Sequence, residues 1–169
     1  MLKKVKKHMK DLDIKLHIQT ASLEELSEVE QDLIAKAKEA TFTSYAPYSR
    51  FKVGAACLLD SGKILTGSNQ ENAAYPSGLC AERTLLFYAG AAHPEEGVQT
   101  LAIAARNEAD RFTRQPIVPC GACRQVMLET QSRSHHNLRI LLYGEDQIYL
   151  IDSVEDILPL AFHPESMNP

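Results

Sequence analysis

Three of the four cysteines in this chain stand where helices are about to begin, and their spacing asks two helix starts to meet at one point. They read Cys80-Ala81-Glu82 and Pro119-Cys120-Gly121-Ala122-Cys123. Residues three apart on a helix share one face, so Cys120 and Cys123 can grip a single ion. Free backbone N–H groups and the positive end of the helix dipole favour thiolate at such a place, and Cys80 gains the same help. Gly121 and Ala122 keep bulk away from the sulfurs. Three thiolates can hold Zn²⁺ and leave its fourth position open, which separates a catalytic site from a closed structural one.

Glu82 follows two residues after a ligand. Carboxylates also bind zinc, but three ligands are already supplied, so Glu82 reads as a proton shuttle. A non-catalytic structural zinc module is the rival, with Glu82 closing the fourth position. Three thiolates on Zn²⁺ leave a net negative centre, and a donor must draw charge from sulfur before a water can ionise near neutrality. Arg83 is the candidate donor and Arg124 the alternative. The fourth cysteine, Cys57, sits inside an apolar run and reads as a small buried hydrophobe. None of the six histidines has ligand spacing with Cys80 or Cys120.

The 169 residues suffice for one domain with a proper core. A net charge of -4 and the absence of Trp argue against a nucleic-acid binder. The one basic run is Lys3, Lys4, Lys6, Lys7 and Lys10, read as a solvated tail. No apolar run approaches the ~20 residues of a membrane span. No signal-peptide core follows the lysines. The expectation is therefore a cytoplasmic protein, where thiols stay reduced.

Periodicity gives the elements. Residues 12–19 alternate with period two and predict a half-buried strand. Ser22 and Glu25 form a capping-box signal for a helix running to about Thr43, with Leu26, Leu33, Ile34 and Ala37 as its apolar stripe. Residues 53–59 and 63–67 flank Asp60-Ser61-Gly62 as a hairpin. A helix follows from Cys80 to about Ala91, then a buried strand over 98–105. A second helix starts at Cys120, and two further strands cover 138–143 and 147–151. A short helix over 153–158 ends the pattern. Strands alternating with helices imply an α/β layered sheet. Residues 1–20 read as an N-terminal extension (a basic tail plus a possible extra strand), and 21–169 as a single catalytic domain.

The same residues resemble a family. Cys80-Ala81-Glu82-Arg83 with Pro119-Cys120-Gly121-Ala122-Cys123-Arg124-Gln125 looks like the three-cysteine, homotetrameric class of cytidine deaminases, the zinc-deaminase signature. Residues 44–56, from Ser44-Tyr45-Ala46-Pro47 through Val53-Gly54-Ala55-Ala56, are similar to the family's first signature. Asn69-Gln70-Glu71-Asn72-Ala73-Ala74-Tyr75-Pro76 is similar to its substrate loop, and Leu158-Pro159-Leu160-Ala161-Phe162 to its C-terminal segment. The likeness runs in order across most of residues 30–162. The departures are the N-terminal extension and the polar stretch 129–137.

That resemblance implies a three-layer α/β/α fold around a central mixed sheet of about five strands. It implies one Zn²⁺ per chain, held by Cys80, Cys120 and Cys123. It implies hydrolysis of cytidine and 2′-deoxycytidine to uridine and 2′-deoxyuridine with release of ammonia, in pyrimidine salvage. Glu82 would carry a proton from the attacking water to N3 of the ring and then one to the departing ammonia. Asn69 and Glu71 would hydrogen-bond the sugar, Phe51 would pack on the base, and the Ala81 N–H would bind the base carbonyl. A homotetramer is implied, with Tyr75 and Phe162 facing a neighbouring subunit's pocket. Deaminases of blasticidin-type antibiotics share the three-cysteine site and are the alternative among enzymes. The Asn69-x-Glu71 pair favours a free pyrimidine nucleoside over a base within DNA or RNA.

Overall fold

The structure is a computed structural model and describes residues 10–167. Six strands form one sheet: β1 (Gln19–Ala21), β2 (Lys52–Leu59), β3 (Ile64–Ser68), β4 (Val98–Arg106), β5 (Arg139–Tyr143) and β6 (Ile148–Ile151). Their order is β1-β6-β5-β4-β2-β3. All neighbours are antiparallel except β4 and β5. A parallel pair needs a long crossover, and here helix α3 (Gly121–Ser134) supplies it. Helices α1 (Glu28–Ala40) and α2 (Ala81–Ala92) complete the layers.

Alternation along the central strands decides which helix lies on which face. Leu101 and Ile103 of β4 join Leu85 of α2 and Met127 of α3 in one core. Ala102 and Ala104, one residue out of phase, meet Leu33, Ile34 and Ala37 of α1 in the other. The result is the expected α/β/α sandwich, with six strands where about five were expected. Glycine sets the spacing on both faces. A Cβ on Gly54 of β2 would stand 2.2 Å from the Ala37 carbonyl oxygen, and one on Gly67 of β3 would stand 2.9 Å from Leu85 Cβ. Gly62 closes the β2–β3 hairpin at φ 84°, in the left-handed region open to glycine.

The first helix starts later than Ser22 predicts. That capping box is real, but it closes only a 3₁₀ turn over Leu23–Glu25. A second box, Ser27 with Glu30, starts α1. Glu30 does double duty, because its other oxygen accepts from Arg139 Nε of β5 at 2.7 Å. Leu26 then reaches the core from the extended residue between the two turns. After Ala40 the chain tightens into a 3₁₀ turn, Thr41–Thr43. The helix expected over 153–158 is likewise only a 3₁₀ turn, Val154–Asp156.

The strand predicted over 12–19 is the clearest correction. Only Gln19–Ala21 pairs, with Gln19 opposite Leu150. The partner strand ends at Ile151, so the ladder has no template for earlier residues. Leu12, Ile14, Leu16 and Ile18 are left exposed. Of the basic run, Lys10 is exposed, while Lys3, Lys4, Lys6 and Lys7 lie outside the described residues. Among the described residues no helix is long and apolar enough to cross a membrane.

Candidate active site

The two helix starts do meet. Cys80 is the N-cap of α2 and Cys120 the N-cap of α3, both in extended backbone conformation. Cys123 lies in the first turn of α3 and is fully buried. The three sulfurs lie within 4.8 Å of one another, the one such cluster among the described residues. Neither a histidine nor the Glu82 carboxylate joins it. Cys57 is in the core, where burial pushes its thiol up to about 12.

The electrostatics favour a cation between these sulfurs. The Cys80 thiol is pulled down to about 5, first by a hydrogen bond from the Cys123 thiol and then, against the cost of burial, by Arg83. Cys123 is held protonated by that same bond to Cys80 and by burial. A thiol proton held between crowded sulfurs is what a divalent cation displaces. Arg83 Nη2 reaches Cys80 Sγ at 3.7 Å, whereas its buried Nε has no hydrogen-bond partner. Arg124 is used elsewhere: it donates to the carbonyls of Pro119 and Ile157, at 2.8 and 2.9 Å. The donor set therefore fits Zn²⁺ with three sulfurs and one position left over.

Glu82 is 5% exposed, on the first turn of α2. Burial pushes its carboxyl above the usual range, and the Cys80 thiolate pushes the same way. A raised pKa suits a group that must both accept and return a proton near neutrality.

Beside the sulfurs opens a cavity of about 540 Å³ lined by Tyr48, Ser49, Asn69, Gln70, Glu71, Asn72, Tyr75, Gly78, Leu79, Cys80 and Arg83. The volume suits a small organic ligand. Its walls tie together loops distant in sequence. Asn69 Oδ1 accepts from the Val53 N–H at 2.8 Å and from Ser44 Oγ, and its amide donates to the Phe51 carbonyl at 2.9 Å. Glu71 accepts from the Tyr48 and Ser49 N–H groups at 2.8 and 3.3 Å. The Ser49 side chain first, and then these two N–H groups, hold the Glu71 carboxyl below its usual range against the cost of burial.

The cytidine and deoxycytidylate deaminase zinc-binding region matches residues 27–136. The chain belongs to that family. It is 44% identical over 138 residues to the cytidine deaminase of Halalkalibacterium halodurans, covering 82% of this chain and 97% of the relative. The cytidine deaminase of Mycobacterium tuberculosis is 42% identical over 130 residues, covering 77% of this chain and 86% of the relative. Among solved structures, the cytidine deaminase of Burkholderia pseudomallei superposes with a TM-score of 0.69 at 41% identity, over 81% of this chain and all of that one.

Within this family member, Asn69, Glu71, Tyr75, Cys80 and Arg83 share the cavity wall. Phe51, Ala81, Glu82, Cys120, Cys123 and Phe162 are not on it. Ala81 is fully buried at the first position of α2. Phe51 is half-buried, its N–H bonded to Ser49 Oγ at 3.0 Å. Tyr75 and Phe162 project outward, 77% and 58% exposed. Sequence reasoning gave no role to Tyr48, Ser49 or Gln70, although the first two lie in the 44–56 signature and Gln70 lies in the substrate loop. Tyr48 and Tyr75 meet edge to face at 6.0 Å between ring centres.

Asn69 is therefore a scaffold as well as a wall. Asn69→Ala is expected to cost about 1–3 kcal/mol in stability, because the half-buried Val53 N–H loses its acceptor. Urea unfolding of the variant measures it. A change in substrate KM with no change in stability would assign Asn69 to ligand contact alone.

Proposed function

We propose that this chain is a zinc-dependent hydrolase converting cytidine and 2′-deoxycytidine, with water, to uridine and 2′-deoxyuridine and ammonia. The observation that carries the reading is the meeting of three sulfurs at two helix N-termini, with a buried carboxyl just beyond one of them. Zinc, when bound, supplies a Lewis acid that makes water acidic enough to attack at neutral pH. Cys80, Cys120 and Cys123 would hold it, and Arg83 would draw charge from the Cys80 sulfur.

Glu82 handles the protons. It takes one from the attacking water and delivers it to N3 of the ring, which makes C4 more electrophilic. The water oxygen bonds to C4. Glu82 then moves a second proton from that oxygen to the exocyclic nitrogen, the C4–N bond breaks, and ammonia leaves. Asn69 and Glu71 present polar atoms to the sugar from a loop already fixed by their own backbone contacts. Such groups reject ligands lacking a matching hydroxyl, since they would be left unpaired. Phe51 packs on the base and the Ala81 N–H binds its carbonyl oxygen. We read the working particle as a homotetramer, supported by the exposure of Tyr75 and Phe162, which would complete a neighbouring pocket. We place it in the cytoplasm, in pyrimidine salvage.

The test is ammonia release, together with the ultraviolet change of cytidine becoming uridine, using protein loaded with one zinc per chain. No turnover of cytidine or deoxycytidine by folded, zinc-loaded protein would sink the assignment and turn attention to other amino-substituted rings. Arg83→Gln tests the charge argument. It is expected to weaken zinc binding by about 10–100-fold, read by competition with a chromogenic chelator, and unchanged affinity would remove Arg83 from the metal's surroundings.

A further inference from the structure

The family model begins at residue 27. Residues 10–18 precede it, and they carry Leu12, Ile14, Leu16 and Ile18 at alternate positions, each between 44% and 76% exposed. Between them stand Asp13, Lys15 and His17, and Asp11 precedes the first. The segment is not adrift. The His17 N–H donates to Asp156 Oδ1 at 2.9 Å, and Ile14 and Leu16 share a groove of about 420 Å³ with Leu158 and Leu160. Leu160 is itself 83% exposed and sits at φ 57°, a strained conformation for a branched apolar residue. With the segment already seated on its own chain, its apolar face remains open, and β6 ends too early to pair with it.

We propose that residues 10–18 pair antiparallel with the same residues of a second copy of this chain, about a twofold axis at Ile14. The charges select this occupant and this register. Centred on Ile14, Asp13 faces Lys15 and Asp11 faces His17, each twice by symmetry, while Leu12 faces Leu16 and Ile14 faces Ile14. A shift to Asp13 sets Asp13 against itself while Asp11 meets Lys15, a shift to Lys15 sets Lys15 against itself, and an in-register parallel pairing sets every charge against its like. Opposite charges across a pair of strands stabilise it and like charges oppose it. The backbone agrees. If Ile14 and its mate exchange both hydrogen bonds, residues 12, 14 and 16 turn their N–H groups to the partner. Residues 13, 15 and 17 then face the other way, and the His17 N–H is already donating on that other side to Asp156. The contact is isologous, so each segment is satisfied by a single mate.

The full-length, zinc-loaded protein tests this through engineered thiols, with wild type as the control for its own cysteines. Mates at the axis would have Cα atoms about 5.5 Å apart, within disulfide range. Ile14→Cys is expected to give a covalent dimer on mild oxidation, seen on non-reducing gels. Leu12→Cys alone should not, because its mate faces position 16, whereas Leu12→Cys with Leu16→Cys should. Lys15→Glu in the Ile14→Cys background should slow cross-linking, and exchanging the pair as Asp13→Lys with Lys15→Asp should restore it. Ile14→Cys cross-linking no faster than Leu12→Cys would overturn the pairing. So would hydrogen-exchange protection of residues 10–18 that persists where sedimentation shows single chains, since the cover would then be the chain itself.

Discussion

Glu82→Gln should leave a folded protein that holds one zinc per chain and turns over cytidine roughly 10²–10⁴-fold more slowly, the usual worth of a positioned acid–base group. The amide keeps the shape of the carboxyl but cannot accept and return protons. Folding should not suffer, because the residue is buried and burial opposes its charge. A neutral isostere removes that cost, so thermal stability should hold or rise. Zinc content is the decisive companion measurement. Glu82 lies outside the three-sulfur cluster, so its amide should leave metal affinity nearly unchanged. Loss of zinc together with stability would mean that Glu82 closes the metal's fourth position and that the site is structural.

Gly54→Ala should be the most damaging single methyl group in the molecule. Its Cβ would stand 2.2 Å from the Ala37 carbonyl oxygen and 2.6 Å from the Thr41 nitrogen. Both are backbone atoms, so no rotamer change relieves the contact and α1 must move off β2. The expected cost is at least ~3 kcal/mol, the upper end for overpacking. For a chain of this size that lowers Tm by at least ~6 °C. Activity should fall as well, because Val53, the next residue, donates to Asn69 at the cavity wall. Calorimetry showing a shift under about 2 °C, less than a single kcal/mol would give, would show that the helix gives way more easily than its packing implies.

What the sequence disclosed and what it hid divide along a physical line. The cysteine spacing named the metal ligands because helix geometry is periodic, and two residues three apart must share a face. The strands with buried cores were legible for the same reason, as in Val98–Arg106, where almost every residue is buried. Competing local signals misled. Ser22 and Ser27 each offer a capping box within five residues, and only the bond from Arg139 to Glu30 ties the second to the sheet. Residues 12–18 carry strand alternation, but pairing needs a partner of sufficient length, and the four residues of β6 are not visible from residue 12. The choice between Arg83 and Arg124 was likewise open in sequence. It turns on which carbonyls lie within reach, and Arg124 finds two. At the cavity, the scaffold bonds of Asn69 and Glu71 were hidden because they join residues 16 to 25 positions apart.

The siting of the sulfurs on two separate helices makes the metal a removable cross-link. It would join residue 80 to residues 120 and 123, and the chain between them contains all of α2, all of β4 and the irregular stretch before α3. A disulfide persists in the unfolded chain and lowers its entropy, whereas zinc leaves when the site comes apart, so it would stabilise the fold by mass action, by an amount set by the free zinc concentration. Metal supply and resistance to proteolysis would thereby be coupled, because a chain that loses zinc also loses the tie between α2 and α3.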